Sequence, residues 1–229
     1  MDNTARWKTV AEIRDEYRRR YGMNLYDWLA FHQREVVFTQ CDYFGIRAFK
    51  NPFDAWIYQE IIFEVKPEVI IEIGSAYGGH TLFLAHLLDS LGQGTVISVD
   101  IDRSNYQAQH ERIIEVTGDS SAPVIVDEVS RHCAGKTVLI IHDGDHRRET
   151  VLRELRLYAP LVSQGSYFIV EDGIVDLFEP GEMNFTGEGP LFAIQDFIAE
   201  NPDFIIDSSR ERYLLTYNPH GFLKRVAPD

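Results

Sequence analysis

The sequence predicts an α/β protein with a Rossmann-like sheet, helices on both faces, a short helical amino-terminal extension and antiparallel carboxyl-terminal strands. Three observations predict it. From Phe53 onward, helix-like and strand-like segments alternate, the pattern of a parallel sheet. The strand segments are nearly continuous apolar runs, as expected when both sheet faces are covered. Several of these runs end in acidic residues, which places carboxylates at the strand ends where open α/β sheets bind ligands.

Taken in order, residues 6–40 read as one or two amphipathic helices carrying Trp7, Ile13, Tyr17, Tyr21, Leu25, Trp28, Leu29 and Phe31, with a break at Gly22. This stripe is expected to cover the core or serve as a dimer arm, and a homo-oligomer is expected. Arg18 to Arg20 read as a solvated helix face. Residues 1–50 are therefore taken as an extension and 51–229 as the Rossmann-like domain. A helix follows over Phe53 to Phe63, then the strand EVIIEIG, a helix over His80 to Leu91, and the strand TVISVDID. TVLIIHDGDH is a third strand, Glu149 to Tyr158 a helix, and GSYFIVEDG a fourth strand after a turn at Ser163 to Gly165. Gly173 to Pro190 reads as a long loop and a candidate lid. A helix near Leu191 to Glu200 comes next. Two strand-like runs, DFIID and RYLLTYNP, are then expected to pair antiparallel at the sheet edge.

The chain has 229 residues, 45% of them apolar, enough for one substantial core. Its formal charge of -14 excludes a general affinity for nucleic acid, which needs clustered Lys and Arg. The two cysteines, Cys41 and Cys133, are too few for a disulfide framework, so a cytoplasmic setting is expected. The start carries scattered charge with no apolar signal core, and no run is long enough to span a bilayer; a soluble protein without a membrane partner is expected.

The segment EIGSAYGGHT leaves a strand and opens a helix, so Gly74, Ser75, Tyr77, Gly78 and Gly79 are candidate cofactor-binding residues. The glycine spacing is not the GxGxxG of dinucleotide enzymes. Glu72, inside the strand end, needs a hydrogen bond or a cation, and a sulfonium cofactor with an amino-acid tail supplies the latter. Asp100, at the next strand end, is placed to accept from both hydroxyls of a ribose. Asp119 and Ser120, in the GDS loop, suit an adenine edge, although Asp119 also fits an ordinary turn.

Asp143 and Asp145 end one strand, and Glu171 and Asp172 end another. Such a set repels itself unless a cation holds it, and oxygen ligands favour a hard ion such as Mg²⁺. Helix capping is the alternative reading of any one of them. His146, three residues after Asp143, has a pKa suited to accepting a proton from a hydroxyl as a methyl group leaves sulfur. His80 and His142 read as a helix start and a strand residue.

These residues carry a resemblance. From GIRAFKNPFDAWIYQEIIFEVKPEVIIEIGSAYGGHT through VISVDID, HDGDH and LYAPLVSQGSYFIVEDG to GPLFAIQDFIAENPDFIID and TYNPHGFLKR, the sequence resembles the cephalosporin hydroxylase-like family of S-adenosylmethionine-dependent O-methyltransferases, related to macrolide sugar O-methyltransferases. The resemblance implies a class I methyltransferase fold, Mg²⁺ on Asp143, Glu171 and Asp172, a base at His146, and a small-molecule hydroxyl acceptor, such as a sugar of a natural product or glycan. The two-His-one-carboxylate pattern of an iron hydroxylase is not evident. Macrolide relatives can carry an added amino-terminal domain, whereas this chain has a short helical extension, so substrate specificity does not transfer. Two other functions remain open: a non-catalytic cofactor-binding subunit, which has no need of His146, and an NAD-dependent sugar enzyme, disfavoured by the glycine spacing.

Overall fold

The structure, a computed structural model, describes residues 7–183 and 185–226; the parts of the predicted extension, loop and domain limits that fall on residues 1–6, Asn184 and 227–229 lie outside the described residues. Helix α1 (Val10–Arg20) opens with a capping box in which Thr9 and Glu12 satisfy each other's backbone N–H, and three arginines close it at the negative end of its dipole. After a turn at Gly22 come α2 (Leu25–Phe31), a π-helical stretch (His32–Val37) and the short α3 (Phe38–Gln40). Of the two expectations for the aromatic stripe, a core cover is not what α1 and α2 form, since they bury no residue and Trp7 is 94% exposed. A two-stranded hairpin, β1 (Asp42–Tyr43) and β2 (Ile46–Arg47), leads into α4 (Pro52–Val65), capped by Asn51 and started by Pro52.

The remaining elements are β3 (Val69–Ile73), α5 (Gly79–Leu91), β4 (Thr95–Asp100), β5 (Ile113–Thr117), α6 (Pro123–Cys133), β6 (Val138–His142), α7 (Arg148–Tyr158), β7 (Tyr167–Val170), α8 (Pro190–Glu200), β8 (Phe204–Ile206) and β9 (Phe222–Arg225). They form a seven-stranded sheet in the order β5-β4-β3-β6-β7-β9-β8. The first five run parallel, and β9 slots antiparallel between β7 and β8. Alternate residues of each strand feed opposite cores. Val69, Ile71 and Ile73 pack with α6, α7 and α8, while Ile70 packs with α4 and α5. The order reverses at β3 and β6, opening a crevice at their carboxyl ends.

One strand assignment is corrected. RYLLTYNP, residues 212–219, is not a strand; the partner of β8 is FLKR, residues 222–225. Leu214 (φ 62) and His220 (φ 57) take left-handed backbone, which no strand accommodates, and Tyr217 leaves the sheet to pack on Val37, Ile174 and Phe178. The loop after β7 begins with a 3₁₀ turn, Gly173–Leu177, and its ends are tied together. The Asp176 carboxylate accepts from the backbone N–H groups of Gly189 and Leu191 at 2.7 and 2.8 Å. Among the described residues, no helix is long and apolar enough to cross a membrane.

Candidate active site

A cleft of about 550 Å³ lies over the strand ends at the switch point, lined by Gly74, Asp100, Gly118, Asp119, Ser120 and Asp143 among others. Asp100 holds the loop after β3 in place: its carboxylate accepts from the backbone N–H groups of Ser75 and Ala76, each at 2.8 Å, and of Asp102 at 3.0 Å. Ser75 is buried and shares a 2.6 Å hydroxyl contact with Ser98. Asp119 lines the cleft while also accepting from the Ser121 N–H at 2.8 Å, so it serves the turn as well. Ser120 donates its hydroxyl to Glu154, whose other oxygen meets His142 Nε2 at 2.5 Å.

Glu72 stands apart from this cleft. It is 1% exposed and bonded to His80 Nδ1 at 2.8 Å and to the Thr81 hydroxyl, so α5 satisfies it. Tyr77 packs its ring on Phe49. The glycines are explained by protein packing. A Cβ at Gly74 (φ 86) would lie 2.1 Å from the Asp143 carbonyl oxygen, and one at Gly79 would lie 2.4 Å from that of Arg47. Gly78, with φ 89, forms the turn into α5 and abuts Ala108.

Asp143, His146 and Asp172 bring one ligand atom each within 4.8 Å of one another. His146 Nε2 lies 3.1 Å from Asp172 Oδ2 and 3.7 Å from Asp143 Oδ1. Burial pulls the imidazole pKa down, but Asp143 and Asp172 outweigh it and hold it at about 10. Asp172 has left-handed backbone (φ 56), and its N–H donates to Asn218 Oδ1 at 3.1 Å. Asp145 lies outside the cluster, bonded to Thr150 and to Arg147, which holds its pKa down to about 2.

Glu171 faces Lys50. The buried Lys50 ammonium donates to Glu171 Oε2 at 2.5 Å and to Asp143 Oδ2. Burial opposes its charge, yet the two carboxylates raise its pKa above the ordinary value. Burial in turn raises the Glu171 pKa, and Asp143 and Asp172 add to that, while Lys50 pulls the other way. Glu171 Oε1 is buried with no hydrogen-bond partner among the described residues. Among the described residues Asp143, His146 and Asp172 lie within mutual reach of one ion and Glu171 falls outside that group; carboxylate oxygens suit Mg²⁺, and a hard cation near Glu171 would satisfy its orphaned Oε1. The sequence reading missed Lys50, Glu154 and Asn218. Glu154 had a signal, since it shares the apolar face of α7 with Val151, Leu155 and Tyr158.

An open sheet of this strand order, with its cleft and carboxylates at the switch point, is the framework of a Rossmann-like methyltransferase. Residues 35–226 match the family described as Rhamnosyl O-methyltransferase/CmcI. The chain is 33% identical over 227 residues to the rhamnosyl O-methyltransferase of Mycobacterium leprae (strain TN), covering 96% of this chain and 93% of that one. To the rhamnosyl O-methyltransferase of Mycobacterium tuberculosis (strain ATCC 25618 / H37Rv) it is 33% identical over 222 residues, covering 93% and 85%. A solved CmcI chain with Mg and SAM shares the fold, with a TM-score of 0.66 and 20% identity over 99% of this chain and 88% of that one. The chain belongs to the Rhamnosyl O-methyltransferase/CmcI family and is an O-methyltransferase.

Proposed function

We propose that the protein moves the methyl group of S-adenosylmethionine to a sugar hydroxyl of a natural product or glycan, with Mg²⁺ held by Asp143, Glu171 and Asp172. The adjacency of the cleft to the Asp143–His146–Asp172 cluster carries this reading, because Asp143 belongs to both. The related mycobacterial enzymes are named for a rhamnosyl acceptor, which favours a deoxysugar glycoside.

S-Adenosylmethionine supplies an electrophilic methyl group on a sulfonium, and Mg²⁺ supplies positive charge that stabilises and orients an acceptor oxygen. The chain's residues do the rest. Asp100 keeps the loop of Gly74 to Gly79 in place and offers its carboxylate to a ribose, with Asp119 and Ser120 at the far wall of the cleft. As the acceptor oxygen bonds to the methyl carbon and the carbon–sulfur electron pair passes to sulfur, His146 Nε2 takes the hydroxyl proton. An imidazole held near pKa 10 by two bare carboxylates is protonated at neutral pH and accepts nothing. Positive charge beside Asp143 and Asp172 would lower that pKa, so the base reading of His146 and the metal reading support each other.

The test is methyl transfer to rhamnosides before and after EDTA. Activity lost on chelation and restored by Mg²⁺ supports the reading, and an EDTA-insensitive rate with the true acceptor rules out the metal. His146→Ala is expected to lower kcat about a hundredfold or more with S-adenosylhomocysteine affinity unchanged.

A further inference from the structure

Lys50 is not a surface side chain that has fallen into a hole. The backbone on either side of it is fixed: Phe49 is left-handed (φ 53), the Cys41 thiol donates to the Lys50 carbonyl at 3.1 Å, and Asn51 donates to Asp54 at 2.9 Å and to the Leu215 carbonyl at 2.6 Å. Its side chain is 8% exposed. The ammonium takes Oδ2 of Asp143 and Oε2 of Glu171, leaving Oδ1 of the first beside His146 and Oε1 of the second without a hydrogen-bond partner among the described residues. With Asp172 as the third carboxylate, on the His146 side, and with His146 neutral as a base must be, three negative charges share the site with the one positive charge of Lys50.

We propose that Lys50 is a positioning residue that turns one free oxygen each of Asp143 and Glu171 toward the metal and sets the valence of the site, leaving two negative charges for a divalent cation to neutralise. This rests on the metal reading above. A neutral side chain at position 50 would leave three charges, and Coulomb attraction would then favour a trivalent ion of similar oxygen preference. The effect depends on the ammonium staying in place when a metal enters. An ammonium expelled by the metal would alter the affinity of every cation alike.

The experiment is titration of the full chain with Tb³⁺, followed by luminescence, and competition with Mg²⁺, giving the ratio of the two dissociation constants. Lys50→Gln keeps an N–H donor and removes the charge; it is expected to shift the ratio toward Tb³⁺ by about tenfold or more. Lys50→Arg keeps the charge and is expected to leave the ratio within about twofold of the natural protein's. An unchanged ratio in Lys50→Gln overturns the proposal. Should that variant not fold, the double variant Lys50→Gln, Glu171→Gln rebalances the charge and must keep the natural ratio, whereas Glu171→Gln alone must move it toward Mg²⁺. The opposite result in either variant is equally fatal. Natural protein that binds neither ion removes the metal reading, and this inference with it.

Discussion

Asn218 holds Asp172 in a left-handed backbone conformation: the Asn218 side-chain oxygen accepts the Asp172 N–H at 3.1 Å, while its amide donates to the Tyr58 hydroxyl at 2.6 Å. Left-handed backbone at a non-glycine residue costs about 1–3 kcal/mol and persists only where neighbours enforce it. Asn218→Ala removes the acceptor and leaves a buried hydroxyl short of a donor. The expected result is a loss of about 1–3 kcal/mol in urea denaturation and a weaker Mg²⁺ complex by calorimetry. A variant with natural stability and metal affinity would mean that Asp172 keeps its geometry unaided.

At Gly74 the chain passes too close to Asp143 for any side chain. Gly74→Ala must push the Asp143 carbonyl away and also adopt a positive φ. We expect destabilisation of at least about 2 kcal/mol and loss of S-adenosylhomocysteine binding, both visible as a flattened ligand-induced shift in Tm. A variant that melts and binds like the natural protein would show that the strand ends slide freely.

Glu154 ties the cleft to the core through Ser120 and His142. Glu154→Ala leaves His142, 1% exposed, without that partner, and should cost about 2–4 kcal/mol. Glu154→Gln retains an acceptor and is expected to lose less than half as much. Equal losses in the two variants would assign the effect to packing volume.

Asp54 gives stability an unusual pH dependence. Burial outweighs the hydrogen bonds it accepts from Thr216, Tyr217 and Asn51, and pushes its pKa up to about 6 from 3.8. Because the folded pKa is the higher one, the native state takes up a proton as pH falls through 6, before the unfolded chain does. This group's contribution to stability therefore rises on acidification, by about 1.5 kcal/mol between pH 7.5 and pH 5. Denaturation of Asp54→Asn at the two pH values should lack that increment; an identical pH response in both proteins would refute the assignment.

Much of this was legible in the sequence, for physical reasons that differ from element to element. The strands β3, β4, β6 and β7 announce themselves because burial on both faces demands unbroken apolar runs. Strand β5, with Glu115 and an outer edge, has no such run, and the sequence reading did not name it. RYLLTYNP looks like a strand because it is rich in aromatic and apolar residues, yet Leu214 stays 75% exposed and Tyr217 joins a small cluster outside the sheet. The gathering of Asp143, His146, Glu171 and Asp172 around two adjoining strand ends was legible from the strands that carry them. Lys50 was not, because its partners lie 93 and 121 residues away and a single lysine in FKNPF carries no spacing signal. Glu72 reads as a cofactor contact because a strand-end carboxylate demands a partner; the structure adds that His80 and Thr81 of α5 bond it.

The Asp176 carboxylate clasps the two ends of the segment that runs from the tip of β7 to the start of α8. Between the clasp points the segment is tied outward as well: Phe178 packs with Val37, Ile174 and Tyr217, and the Glu188 carbonyl accepts the Arg148 N–H at the start of α7 at 2.9 Å. A change of sequence there is felt at the start of α7 and in the small cluster under the amino-terminal helices, not only within the loop. Cutting the Asp176 clasp would therefore free the neck of the loop while Phe178 and Glu188 still moor its middle, so the loop is held as a hoop rather than as a flap.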